Sequence, residues 1–152
     1  MSEKRARAEE ELSRLVSEAR MLEGISDSLR DLIGRVQAYL AELRAAGLAL
    51  ENIAGREGLE ILVPIGAGSL VKASLKEADK VIVSLGADVS VEVDVDKAKE
   101  IIENRLAEAQ KALNDYLARL REVERALASY RERIRSLLEE RGLAGRAEEG
   151  VR

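Results

Sequence analysis

A chain of 152 residues with 36% charged, 46% hydrophobic and only 2% aromatic residues has the makeup of long exposed helices over a thin core. It holds no Trp, Phe, Cys or His, which removes zinc-finger ligands, thiol nucleophiles, disulfides and imidazole bases together; no catalytic constellation remains, and a non-enzymatic role without cofactor is expected. The net charge of −4 is mild and interleaved: Ser2–Arg20 carries five basic and five acidic residues, so Lys4, Arg5 and Arg7 make no stripe for nucleic acid. No apolar run nears the roughly 20 residues a bilayer requires, and Met1 leads straight into charge, so a soluble, cytoplasmic protein with no membrane partner is expected. Dense Glu and Arg without Cys also fits a thermophile.

The first element is a helix over residues 2–54, stopped by Gly55 and Gly58. Leu15, Leu22, Leu29, Val36, Leu43 and Leu50 recur every seven positions, and Leu12, Ala19, Ser26, Ile33, Leu40 and Gly47 form a second line in alternating steps of three and four. Such a repeat keeps one narrow seam facing a partner helix, the pattern of a left-handed coiled coil. Gly24, Gly34 and Gly47 each weaken a helix by about 1 kcal/mol relative to alanine, and bending is expected there.

From 59 to 93 the period becomes two. One face carries Leu59, Ile61, Val63 and Ile65, then Val71, Ala73 and Leu75, then Val81, Val83 and Leu85, then Val89, Val91 and Val93. Glycine-bearing turns at Gly66-Ala67-Gly68 and Gly86-Ala87-Asp88 make these four strands two hairpins. Gly66 and Gly68 are no phosphate cradle, because Val71 stands where a dinucleotide fingerprint needs its third glycine. Pro64 belongs at a strand end or edge. Hairpins this small are marginal alone and have open edges, so they are expected to pair with hairpins of other chains.

A second helix over 94–141 follows, capped by Asp94 or Asp96, which read as caps and not as a metal pair, and ended by Gly142; residues 142–152 are expected to be a frayed tail. Its lines are Leu106, Leu113, Leu120, Leu127 and Ile134, and Ile102, Ala109, Tyr116, Val123, Tyr130 and Leu137. Opposed antiparallel, seam partners have numbers totalling 149, as in Leu15 with Ile134, Ala19 with Tyr130 and Gly47 with Ile102, so small residues often meet large ones. The expected fold is α+β: a single chain forming a long antiparallel α-helical coiled coil with two central β-hairpins. At 1.5 Å per residue the rod would reach roughly 65–70 Å, with both termini at its far tip.

Helix, two hairpins, helix, with Leu62-Val63-Pro64-Ile65-Gly66-Ala67-Gly68-Ser69, the Gly86-Ala87 turn and the Asp94/Asp96 helix start, resembles the α class of archaeal prefoldin subunits over residues 10–140. The resemblance implies a hexamer of two α with four prefoldin β subunits, whose hairpins build an oligomeric β-barrel body. It further implies coiled-coil tips that hold nonnative client proteins for a group II chaperonin without nucleotide. Family members often carry Phe where Leu70 stands.

Apolar residues at the tip are then the candidate client contacts: Leu12, Leu15, Val16 and Ala19 with Ile134, Leu137, Leu138 and Leu143. Leu15 and Ile134 occupy regular seam positions and serve equally to close the coiled coil, whereas Val16, Leu138 and Leu143 lie outside both seams. Arg14, Glu18 and Arg141 read first as a solvated face. The open hairpin edges also permit a second class of function, a filament in which the rods act as spacers.

Overall fold

The computed structural model describes residues 2–149, and the side chains of residues 3–142. The element order is α1 (Ser2–Ile53), β1 (Glu60–Gly66), β2 (Ser69–Ser74), β3 (Lys80–Gly86), β4 (Val89–Asp94) and α2 (Val95–Glu149). The chain divides into two units, Met1–Arg35 with Leu113–Arg152, and Val36–Ala112.

In the first unit the heptad lines are the core. Leu15, Ala19, Ser26, Leu29 and Ile33 of α1 are buried, as are Leu113, Leu127 and Leu137 of α2; Leu12, Leu22, Tyr116, Leu120, Val123, Tyr130 and Ile134 are half-buried. Each fully buried leucine contributes roughly 1.5–3 kcal/mol, so a stripe of this kind holds a helix pair that propensity alone would not. Interhelical ion pairs bracket the seam: Arg30–Glu124 at 2.8 Å and Glu23–Arg131 at 3.0 Å have numbers totalling 154, and Glu11–Arg133 at 3.0 Å totals 144. These totals lie five either side of 149, where the flanking positions of an antiparallel pair meet. Apart from the half-buried Glu11 these side chains are solvent-exposed, so the pairs select register more than they add stability.

The second unit continues this packing and adds the hairpins. Leu40, Leu43, Leu50 and Ala109 are buried, and a Cβ placed on Gly47 would lie 3.9 Å from Ile102 Cγ2, the expected seam partner. α1 ends at Ile53, one residue short of the expected Ala54, with Gly55 and Gly58 at positive φ. Strands β1 and β2 pair antiparallel from Glu60↔Ser74 to Gly66↔Ser69, and β3 and β4 from Lys80↔Asp94 to Gly86↔Val89; the hairpins remain two separate two-stranded sheets.

The turns correct the simple alternation. Ala67 (φ 49°) with Gly68 (φ 73°), and Ala87 (φ 49°) with Asp88 (φ 59°), form two-residue loops whose left-handed backbone suits strand twist. Each loop is preceded by a register shift, between Pro64 and Gly66 and between Ser84 and Gly86. Ile65 and Leu85 therefore sit in bulges, 65% and 56% exposed, and do not continue the apolar face. Leu59 and Leu75 fall just outside β1 and β2, yet the Leu75 N–H donates to the Leu59 carbonyl at 2.9 Å and prolongs the ladder.

β4 passes directly into α2. The Asp94 carboxylate accepts from the Lys97 N–H at 2.7 Å, so Asp94 is the cap, and Asp96 lies inside the first turn. α2 does not stop at Gly142 but runs on to Glu149. One glycine costs about 1 kcal/mol and does not end a helix when alanine, arginine and glutamate follow. Of the expected tail, residues 150–152 lie outside the described residues.

Candidate interaction surfaces

In the first unit, Leu15, Ala19 and Leu137 are buried and Leu12 and Ile134 half-buried, so these five candidates close the coiled coil. Val16 is half-buried and Leu138 is 50% exposed. Their numbers total 154, the flank occupied elsewhere by Glu23–Arg131 and Arg30–Glu124. They fall outside both seams because they stand where an ion pair would otherwise stand. Leu143 lies outside the described side chains.

Charges surround this apolar pair. Leu12, Val16, Arg20 and Arg141 line a shallow groove with Glu9, and Arg141 reaches Glu9 at 3.2 Å; Arg14 lies 3.8 Å from Glu18. The Tyr130 hydroxyl donates to the Glu18 carboxylate, which raises its pKa above 10.0, while the Arg14 charge opposes the rise. Charged side chains thus edge an apolar strip at this end of the first unit.

Within the α1 segment of the first unit, three exposed large apolar residues fall outside the two seams: Met21 at 63%, Ile25 at 43% and Leu32 at 37% exposure. Ile25 and Leu32 are themselves seven apart, so a search for a third heptad line would have found them.

In the second unit the two hairpins differ. Val83, 7% exposed, is buried with Leu50, Val95 and Ala98, and Val81 and Val93 pack against the same cluster. Arg105 Nη2 donates to the Ser84 carbonyl at 2.6 Å, and the Val95 N–H to the Asp79 carbonyl at 3.0 Å, so this hairpin is seated on its own helices. On the first hairpin Ile61 and Ala73 are half-buried, but Val63 and Val71 are 39% and 45% exposed. Val89 and Val91 of β4 are also exposed. Half of the candidate assembly face is thus spent within the chain and half is uncovered.

Among the described residues no group of three His, Cys, Asp or Glu can hold a metal ion, and no helix is long and apolar enough to cross a membrane. The family model for the prefoldin subunit matches residues 22–140. The chain belongs to the prefoldin family.

Its relatives place it in the α class. It is 33% identical over 112 residues to the prefoldin α subunit of Methanobrevibacter smithii, covering 74% of this chain and 77% of that one. It is 37% identical over 107 residues to that of Thermofilum pendens, covering 67% and 83%. Among solved structures it is similar to a filamentous prefoldin from Methanocaldococcus jannaschii seen by cryo-electron microscopy. That match has 30% identity and a TM-score of 0.54, over 82% of this chain and 98% of that one. The long helices and two antiparallel hairpins are the prefoldin fold, and a prefoldin α subunit has the general role of a chaperone that holds other proteins.

Proposed function

We propose that this prefoldin subunit works without ATP, assembling through its hairpins into a β-barrel body with prefoldin β subunits, two α to four β. Its helix tips capture nonnative proteins, prevent their aggregation and transfer them to a group II chaperonin. The observation that carries the reading is the pairing of a buried seam with an apolar flank: Leu15, Ala19 and Leu137 are closed, while Val16 and Leu138 beside them remain open to contact.

Weak contacts suffice for this task. One leucine-sized side chain contributes at most roughly 1.5–3 kcal/mol on full burial. Several tethered tips around one cavity raise avidity by roughly 10²–10⁴, which permits capture and release without nucleotide. The hairpin residues Ile61, Val63, Val71, Ala73, Val89 and Val91 supply the assembly face in this reading.

A second reading is favoured by the likeness to a filamentous prefoldin: the same edges build a filament. One experiment separates the two. A chemically unfolded protein is diluted without nucleotide into the assembled chain, either native or carrying Val16→Ser with Leu138→Ser, and light scattering is followed while electron microscopy records particle form. Discrete native particles that suppress aggregation, with at least a threefold loss in the equally assembled variant, support the holdase reading. Fibres with no suppression support the filament, and suppression unchanged in the variant removes the tip from the mechanism.

A further inference from the structure

The groove on α1 in the first unit has a regular spacing along its floor. Leu12, Val16 and Arg20 stand four residues apart and line it together, the first two half-buried and Arg20 exposed. At 1.5 Å per residue they lie about 6 Å apart along the helix axis. Alternate residues of an extended strand point to one side and lie about 6.4–6.8 Å apart. Over two such steps the repeats differ by only about 1 Å, so one face of an extended chain can set three side chains on these three positions. Ser13 and Ser17, exposed and lining the same groove, place hydroxyls at the same interval beside the apolar pair. A hydroxyl both donates and accepts, which suits the backbone groups of an extended chain.

The two ends of the groove differ in charge. At one end Glu9 and Arg141 neutralise each other at 3.2 Å. At the other, no acid among the described residues forms an ion pair with Arg20. Glu23, the acid one turn further on, is held by Arg131 at 3.0 Å, and Glu18 is engaged by Tyr130 and Arg14. The lining therefore holds two arginines against one glutamate, a local positive surplus in a chain of net charge −4. Charges beyond about 8 Å are largely screened at physiological salt, so a segment lying in the groove meets that surplus.

We propose that this groove selects extended client segments in which two apolar residues and one carboxylate occupy three successive alternate positions. The apolar pair rests on Leu12 and Val16, and the Arg20 guanidinium donates to the carboxylate. A lysine at the third position meets like charge, and a carboxylate moved by one place points away from the groove. The proposal rests on the capture reading above and adds the kind of segment captured.

The test uses the chain assembled with prefoldin β subunits and a surface carrying tethered serine-rich peptides. Each peptide has leucine at two alternate positions and glutamate, lysine or serine at the next; a control moves the glutamate by one place, and all are made in both chain directions. Retention lost on Val16→Ser with Leu138→Ser is the share owed to this flank, because the β subunits are common to every sample.

Within that share the glutamate peptide is expected to exceed the lysine peptide about threefold, the effect of one exposed ion pair, and Arg20→Glu is expected to invert the order. Equal shares, an order unchanged by Arg20→Glu, or equal retention of the displaced glutamate overturns the proposal and leaves the capture reading intact. So does a failure to retain any peptide in complexes that still suppress aggregation. Retention that Val16→Ser with Leu138→Ser leaves undiminished overturns both.

Discussion

Gly47→Ala is expected to stabilise the chain by about 1 kcal/mol, because a helix-interior glycine carries roughly that penalty relative to alanine. The structure sets the contact that decides the sign: the added Cβ meets only Ile102 Cγ2, at 3.9 Å, an ordinary van der Waals distance. Gly24→Ala, where a Cβ meets nothing within 4 Å, should give a similar gain from propensity alone. Gly47→Ile adds three more carbons toward Ile102 and should cost about 1–3 kcal/mol through overpacking. With a urea dependence of about 1–3 kcal/mol/M, the alanine variant moves the unfolding midpoint upward by roughly 0.3–1 M. Its thermal midpoint rises by about 2–4 °C. A slip of one heptad would bring Gly47 opposite Ala109, and isoleucine would then be accommodated. A lowered midpoint for Gly47→Ala, or Gly47→Ile as stable as the native chain, refutes the register.

Asp94→Ala removes the carboxylate that caps α2 and should cost about 1 kcal/mol, whereas Asp96→Ala should cost less; thermal melts giving the reverse order would refute the assignment. Tyr130 should titrate above 10.0, because its proton is shared with Glu18. The folded chain binds that proton more tightly than the unfolded chain does, so its contribution to stability is complete below about pH 10 and is lost as pH rises through the raised value. Ultraviolet titration in a Tyr39→Phe, Tyr116→Phe background checks this, and Glu18→Gln should move Tyr130 back toward its ordinary value. Leu22→Cys with Leu127→Cys should crosslink within one chain; efficient crosslinking only at shifted pairs would oppose the expected layers.

The α+β order of elements, the seven-residue seams and their pairing were legible in the sequence because each depends on short-range periodicity. Where side chains repeat every seven residues in a helix or every two in a strand, the buried face follows from spacing alone. Leu15, Leu29, Leu43 and Leu127 are core for that reason. The helix end near Gly142 was misread because one glycine is a small cost and its surroundings decide whether it stops a helix. Val16 and Leu138 fall outside both seams, and only the opposition of the two helices gives them the flanking register that Glu23–Arg131 and Arg30–Glu124 occupy.

Other features required atoms distant in the chain to be brought together. Two hairpins of almost the same pattern acquire different fates because Leu50, Val95 and Ala98 cover Val83, while nothing comparable covers Val63 and Val71. Arg105 occupies the Ser84 carbonyl from a position 21 residues away, a choice that no local pattern records. Periodicity along the chain determined which residues turn toward a partner; tertiary packing decided which of those faces were already satisfied, because burial depends on the surface that arrives from elsewhere.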